Sequence, residues 1–115
     1  MRKIVFGLIM VLVLAGCPLG SESNPKDVNV SQVNGLRDGT YVRISGEIKE
    51  MLIEGFYLFS DNTGSISIEV DRDVWARAQI NTITLTLPAR FEIVGEVDKD
   101  RGEQAIIEVE RIKKL

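Results

Sequence analysis

From Tyr41 onward the chain alternates. Val42, Ile44 and Ile48 fall on one side, and Arg43, Ser45, Glu47 and Lys49 on the other, the period of a half-buried strand. Gly46 sits mid-strand on the inward side, where a missing side chain permits a sharp bend. Gly55 to Ser60 forms a second strand whose parity is open: either Phe56 and Leu58 or Tyr57 and Phe59 point inward. Asp61-Asn62-Thr63-Gly64 is a turn, with Asp and Asn bonding local backbone. Ser65 to Val70 then alternates with Ile66, Ile68 and Val70 inward, closing a hairpin. Asp71 to Ala78 lacks alternation; Asp71 caps a short helix that puts Val74, Trp75 and Ala78 on one side. Arg90 to Asp98 is a fourth strand, with Phe91, Ile93 and Val97 inward and Gly95 at a bend. Lys99-Asp100-Arg101-Gly102 turns into a fifth, Gln104 to Ile112, with Ala105, Ile107 and Val109 inward. Lys113 to Leu115 is expected to fray. Ahead of the first strand, Ser31 caps a helical turn over Gln32 to Gly35 with Val33 and Leu36 inward, and Arg37-Asp38-Gly39 reverses the chain.

Five strands, a helix between the third and fourth, and glycine kinks in two long strands describe an all-β fold with small α content, a five-stranded OB-fold barrel. Curving the sheet shut removes most exposed edges. A domain of about 85 residues buries only some 60–65% of its unfolded surface. The inward aliphatic and aromatic residues are therefore needed as core and do not form a ligand pocket.

The segment upstream has a different character. Arg2 and Lys3 precede an almost unbroken apolar run from Ile4 to Ala15. That run fits a signal peptide and falls short of the ~20 residues a spanning helix needs. Leu14-Ala15-Gly16-Cys17 resembles the bacterial lipobox, in which cleavage falls between the residues matching Gly16 and Cys17 and the thiol is acylated. The resemblance implies multiple acylation, palmitate included, and more than one chain is what durable anchoring requires. Pro18 to Asn29 is rich in Gly, Ser, Asn and Pro and reads as a linker, with a reach of roughly 20 Å. The expected organisation is a lipoprotein signal peptide over 1–16, a tether with lipidated Cys17 over 17–29, and the OB-fold domain over 30–115. Pro18 is not the aspartate that commonly retains lipoproteins at the inner membrane, so the outer membrane is favoured.

Composition narrows the chemistry. The 115 residues include 14 Lys and Arg, 17 Asp and Glu, one cysteine and no histidine. A disulfide framework, a Cys/His zinc site and imidazole catalysis are excluded. Loss of Arg2 and Lys3 with the leader leaves a net charge of −5, which disfavours nucleic acid and anionic lipid and suits cations or a basic partner.

Several strings are similar to the bacterial OB-fold (BOF) family of small exported proteins, the YgiW/YdeI type. They are Asp61-Asn62-Thr63-Gly64, Val70-Asp71 followed by Trp75, and Gly95-Glu96-Val97-Asp98-Lys99-Asp100. Val33, Leu36 and Asp38 ahead of strand one and Ile107 to Ile112 at the end also match, so the likeness spans about residues 30–112. The resemblance implies a barrel, export to the periplasm, a role in envelope stress tolerance, ligand binding, and no enzymatic activity. It also implies that Tyr57 and Phe59 are the inward pair of strand two. The stretch Ala76 to Ala89 is about five residues longer than the family connection. Its alternating Ile83, Leu85 and Leu87 raise the expectation of an added β ribbon.

OB barrels commonly bind across strands two and three and the loops joining strands one–two and four–five. The candidate face is therefore Leu58, Ser60, Ser65, Ser67 and Glu69, with loop residues Glu50 to Glu54, Lys99 and Arg101. It offers Ser and Glu where a single-strand nucleic-acid reader needs stacking aromatics on a basic groove. Asp71/Asp73 and Asp98/Asp100 are read as caps and turn formers, with no metal, no cofactor and no catalytic residue assigned. Two functions remain. One is a membrane-anchored, periplasm-facing, non-catalytic module binding a small ligand, a cation or cationic peptide, or an envelope component. The other is a scaffold lipoprotein acting only through protein–protein contacts, favoured if Leu58 and Ile106 share an apolar patch.

Overall fold

The computed structural model describes residues 24–115. The segment read as a signal peptide, Cys17 and the first part of the expected tether lie outside the described residues. Strand β1 (Lys26–Asp27) and helix α1 (Val30–Val33) lead into the long β2 (Tyr41–Ile53). β3 (Phe56–Asp61), β4 (Gly64–Glu69), helix α2 (Arg72–Arg77), β5 (Ala89–Asp98) and β6 (Ile106–Lys114) follow.

The sheet order is β1-β2-β3-β4-β6-β5, and β2 also pairs with β5, which closes the barrel. β2 serves both halves because its first part pairs with β5, from Tyr41↔Glu96 to Ile48↔Ala89, and its second part with β3, from Glu47↔Ser60 to Ile53↔Phe56. Two glycines permit this curvature. A Cβ on Gly95 would lie 2.1 Å from the Glu108 carbonyl oxygen, and one on Gly46 would lie 2.4 Å from that of Ser60. The backbones approach too closely at both points for any side chain.

The expected inward sets hold: Val42, Ile44, Ile48, Ile66, Ile68, Phe91, Ile93, Val97 and Ile107 are buried. So are Tyr57 and Phe59, which fixes the open parity of β3 as the family likeness implied. Trp75 of α2 fills one end, edge-on to Tyr57 and Phe91 with ring centroids 5.6 and 5.8 Å away. Val30 and Val33 of α1 join the same core.

Several local expectations are corrected. The cap of α1 is Asn29, not Ser31: its side chain accepts the Gln32 N–H at 3.1 Å while its own N–H donates to Gln32 Oε1 at 2.9 Å, a capping box. Asp71 precedes α2 without a side-chain capping bond. Glu50 to Ile53 are strand, not loop, because β3 supplies their ladder partners. Residues 79–88 contain no strand; Leu85 and Leu87 pack on the core while Ile83 stays exposed. Lys113 and Lys114 do not fray but pair with Glu92 and Phe91. An extra strand also appears: Lys26 and Asp27 run parallel to Val42 and Arg43, inside the stretch read as tether.

Candidate functional site

The β3–β4 hairpin brings the serine-rich candidate face together. Leu58 lies opposite Ser67, Ser60 opposite Ser65, and Phe56 opposite Glu69. The Ser60 and Ser65 hydroxyls are 2.7 Å apart and bond one another. The turn beyond them is fastened to α1: Asp61 accepts the Val30 N–H at 2.9 Å and the Thr63 N–H at 2.8 Å, and Thr63 Oγ1 accepts the Ser31 N–H. Burial raises the pKa of Asp61, but these bonds outweigh it and hold the carboxyl below its ordinary range.

Arg101 reaches across from the β5–β6 loop to the other end of this face. Its guanidinium donates to Glu69 of β4 at 2.7 Å, Glu108 of β6 at 2.5 Å and Asp98 of β5 at 3.0 Å. It also lies 6.0 Å from the Phe56 ring centroid. The bonds to Glu69 and then Glu108 push its pKa further above the ordinary arginine value. Lys99 takes a different direction: its ammonium donates to the Asn34 carbonyl at 2.9 Å and its N–H to Asp38 at 2.7 Å.

Carboxylates dominate this end of the barrel. A groove of about 320 Å³ between α2 and β6 is lined by Glu69, Asp71, Asp73, Glu108 and Glu110, with Arg77 and Arg101 as its cations. Both cations are engaged, Arg77 with Asp73 at 2.7 Å and with the Glu110 carbonyl at 3.1 Å. Nearby, desolvation first and then Glu110, Glu108, Asp38 and Asp98 push the Glu96 pKa up. The carboxylate oxygens of Asp38, Asp98 and Asp100 lie within 4.8 Å of one another, a set of hard oxygen donors. Asp38 and Asp98 already accept loop N–H groups, from Lys99 and Asp100.

The structure thus gathers Leu58, Ser60, Ser65, Ser67, Glu69 and Arg101 on or beside one hairpin, carries Glu50 to Ile53 at the end of β2, and sends Lys99 elsewhere. Leu58 and Ile106 are half-buried, and the large exposed apolar residues among those described lie instead at Met51, Leu52, Ile53, Ile83 and Leu115. Sequence reasoning missed Asp98, Glu108 and Glu110 as a group. The outward acids of β6 were visible, but their meeting with Glu69 depends on the parallel β4–β6 closure, Glu69↔Glu108.

Comparison with known proteins agrees with the geometry. Residues 19–114 match the family model described as bacterial OB fold (BOF) protein. The chain is 35% identical over 92 residues to Protein YgiW of Escherichia coli K12; the match covers 80% of this chain and 66% of that one, just under two thirds of its length. It is 32% identical to the calcium-regulated OB-fold protein CarO of Pseudomonas aeruginosa, over 82% of this chain and 77% of that one. The solved structure of E. coli YgiW superposes with a TM-score of 0.66 at 34% identity, covering 78% of this chain and 90% of that one.

Proposed function

Because the chain belongs to the bacterial OB-fold (BOF) protein family, we propose that it is a non-catalytic binding module of the cell envelope that takes a cation or a cationic group. In this reading it is a lipoprotein, cleaved between Gly16 and Cys17, acylated at Cys17 and held on the periplasmic side, at the outer membrane rather than the inner. Its role is in envelope stress tolerance.

The carrying observation is the charge of the α2–β6 groove. Five carboxylates face two guanidinium groups, and both guanidiniums are already paired. Such a surface attracts cations and repels phosphate polymers, so nucleic acid is not the ligand. The name of CarO supports a link between this kind of barrel and calcium. Nothing in the groove pairs a nucleophile with a base, so the reading is binding without turnover.

Thermal unfolding with added calcium or a tetralysine peptide tests the ligand. A ligand of the folded state raises the midpoint by mass action, and Asp73→Asn with Glu108→Gln reduces that rise. A midpoint unmoved by either probe refutes the reading. Anchoring is tested separately: Cys17→Ser leaves an unprocessed precursor, and unchanged processing refutes lipidation. The scaffold alternative draws on the exposed tip at Met51 to Ile53, not on Leu58 and Ile106.

A further inference from the structure

Along most of β2 one side of the strand is buried, but this ends at Ile48. Met51, Leu52 and Ile53 are 57%, 45% and 67% exposed, and Ile83 of the α2–β5 loop is 91% exposed. Two features free the tip. The β5 ladder stops at Ile48↔Ala89, so beyond it that edge of β2 carries no strand among the described residues. Register shifts at Lys49 and Leu52 then break the alternation against β3, as bulges do where a strand re-aims its side chains.

Between this tip and α2 opens a groove of about 520 Å³, with Met51, Tyr57 and Trp75 among its apolar walls. Glu54, Glu69 and Asp71 line it against a single cation, Arg72, which reaches Glu54 at 3.4 Å. Both members of that pair are almost fully exposed, so it binds weakly. Trp75 is 5% exposed, and its buried indole N–H has no acceptor among the described residues.

We propose that this groove and the apolar tip beside it form a docking surface for a protein segment that presents aliphatic side chains next to a lysine or arginine. The aliphatic groups cover Leu52 and Ile53, and the cation meets the excess of carboxylates. A second copy of the chain fits poorly. Two-fold strand pairing keeps each side chain on its own face, so centring on Met51 sets Glu50 against Leu52, and centring on Leu52 sets Glu50 against Glu54. The bulges further spoil a continuous ladder. The inference rests on the cation-binding reading, since Glu69 and Asp71 line both grooves.

The test uses the full chain in phosphatidylcholine nanodiscs, with empty nanodiscs as blank. Two probes are titrated: tetralysine, and a peptide alternating leucine with the same four lysines. The leucine–lysine peptide is expected to bind about tenfold tighter or more, the scale of a few partly buried side chains. Leu52→Ser with Ile53→Ser is expected to remove that advantage and leave tetralysine binding unchanged; both residues are exposed, so the fold persists. Equal affinities for the two probes overturn the docking surface while the cation reading stands. Absence of binding by both overturns the two together. Concentration-dependent dimerisation abolished by the serine pair gives the tip to a second copy and also overturns the proposal.

Discussion

Arg101 Nη2 lies 2.7 Å from Glu69 Oε1, and this pair ties the β5–β6 loop to β4 across the barrel seam. The seam itself is thin: the parallel β4–β6 pairing consists of Ile68↔Ile107 and Glu69↔Glu108. A single guanidinium that also holds Asp98 and Glu108 therefore relieves acid repulsion where the ladder is shortest.

Arg101→Ala should cost little stability, because the side chain is 39% exposed and solvent screens its pairs. The same change frees Glu69, Asp98 and Glu108, so calcium or tetralysine should bind more tightly. Calorimetric titration checks this; weaker binding would place the guanidinium within the ligand contact instead.

Gly95→Ala places a methyl 2.1 Å from the Glu108 carbonyl oxygen and 2.9 Å from Val109 Cα. Only backbone movement relieves that clash. A loss of about 3 kcal/mol or more is expected, at the upper end for overpacking, with Gly46→Ala similar against Ser60. Urea unfolding of each variant measures it, and a near-neutral result would show that the strands can separate there without cost.

Glu96 has a raised pKa in the folded state, through desolvation first and then its acidic neighbours. The folded protein thus holds the proton to higher pH than the unfolded chain, and stability falls as pH rises between the two values. Glu96→Gln should be stabilising at pH 7, by about a few tenths of a kcal/mol after screening, and neutral at pH 3. A melting series across that range decides it; equal effects at both ends would remove charge as the cause.

Asp61 works in the opposite sense. Its folded pKa is lowered because the bonds from Thr63 and Val30 outweigh the cost of burial. Its contribution is complete above the unfolded value of about 3.9 and is lost as pH falls through the folded value. Asp61→Ala should cost about 1–3 kcal/mol at neutral pH, the range for charged hydrogen bonds and their orphaned donors. The difference from the parent protein should shrink in acid, which denaturant titration at several pH values would reveal.

The strands were legible because one-sided burial imprints a period of two, as in Val42, Ile44 and Ile48 or Ile66 and Ile68. Bulges were not, since an inserted residue carries no mark of its own. Glu110 is one: Val94 pairs with Arg111 but Gly95 with Val109, and the slip turns Ile112 inward after Ala105, Ile107 and Val109. The residues from Ile83 to Leu87 carried the same alternation as a strand yet form a loop, with Leu85 and Leu87 packed on the core. The Arg101 clasp was hidden for another reason. Glu69, Asp98 and Glu108 belong to three strands, and only closure of the sheet brings them to one guanidinium.

The parallel pairing of β1 carries a directional consequence. Lys26 and Asp27 lie beside Val42 and Arg43 and run the same way, so the polypeptide arrives at the heel of β2, while Met51 to Ile53 crown its far end. Eleven residues of strand separate Val42 from Ile53, a path of roughly 36 Å. Whatever grips the chain upstream therefore holds the barrel from below, with its greasiest exposed point turned outward.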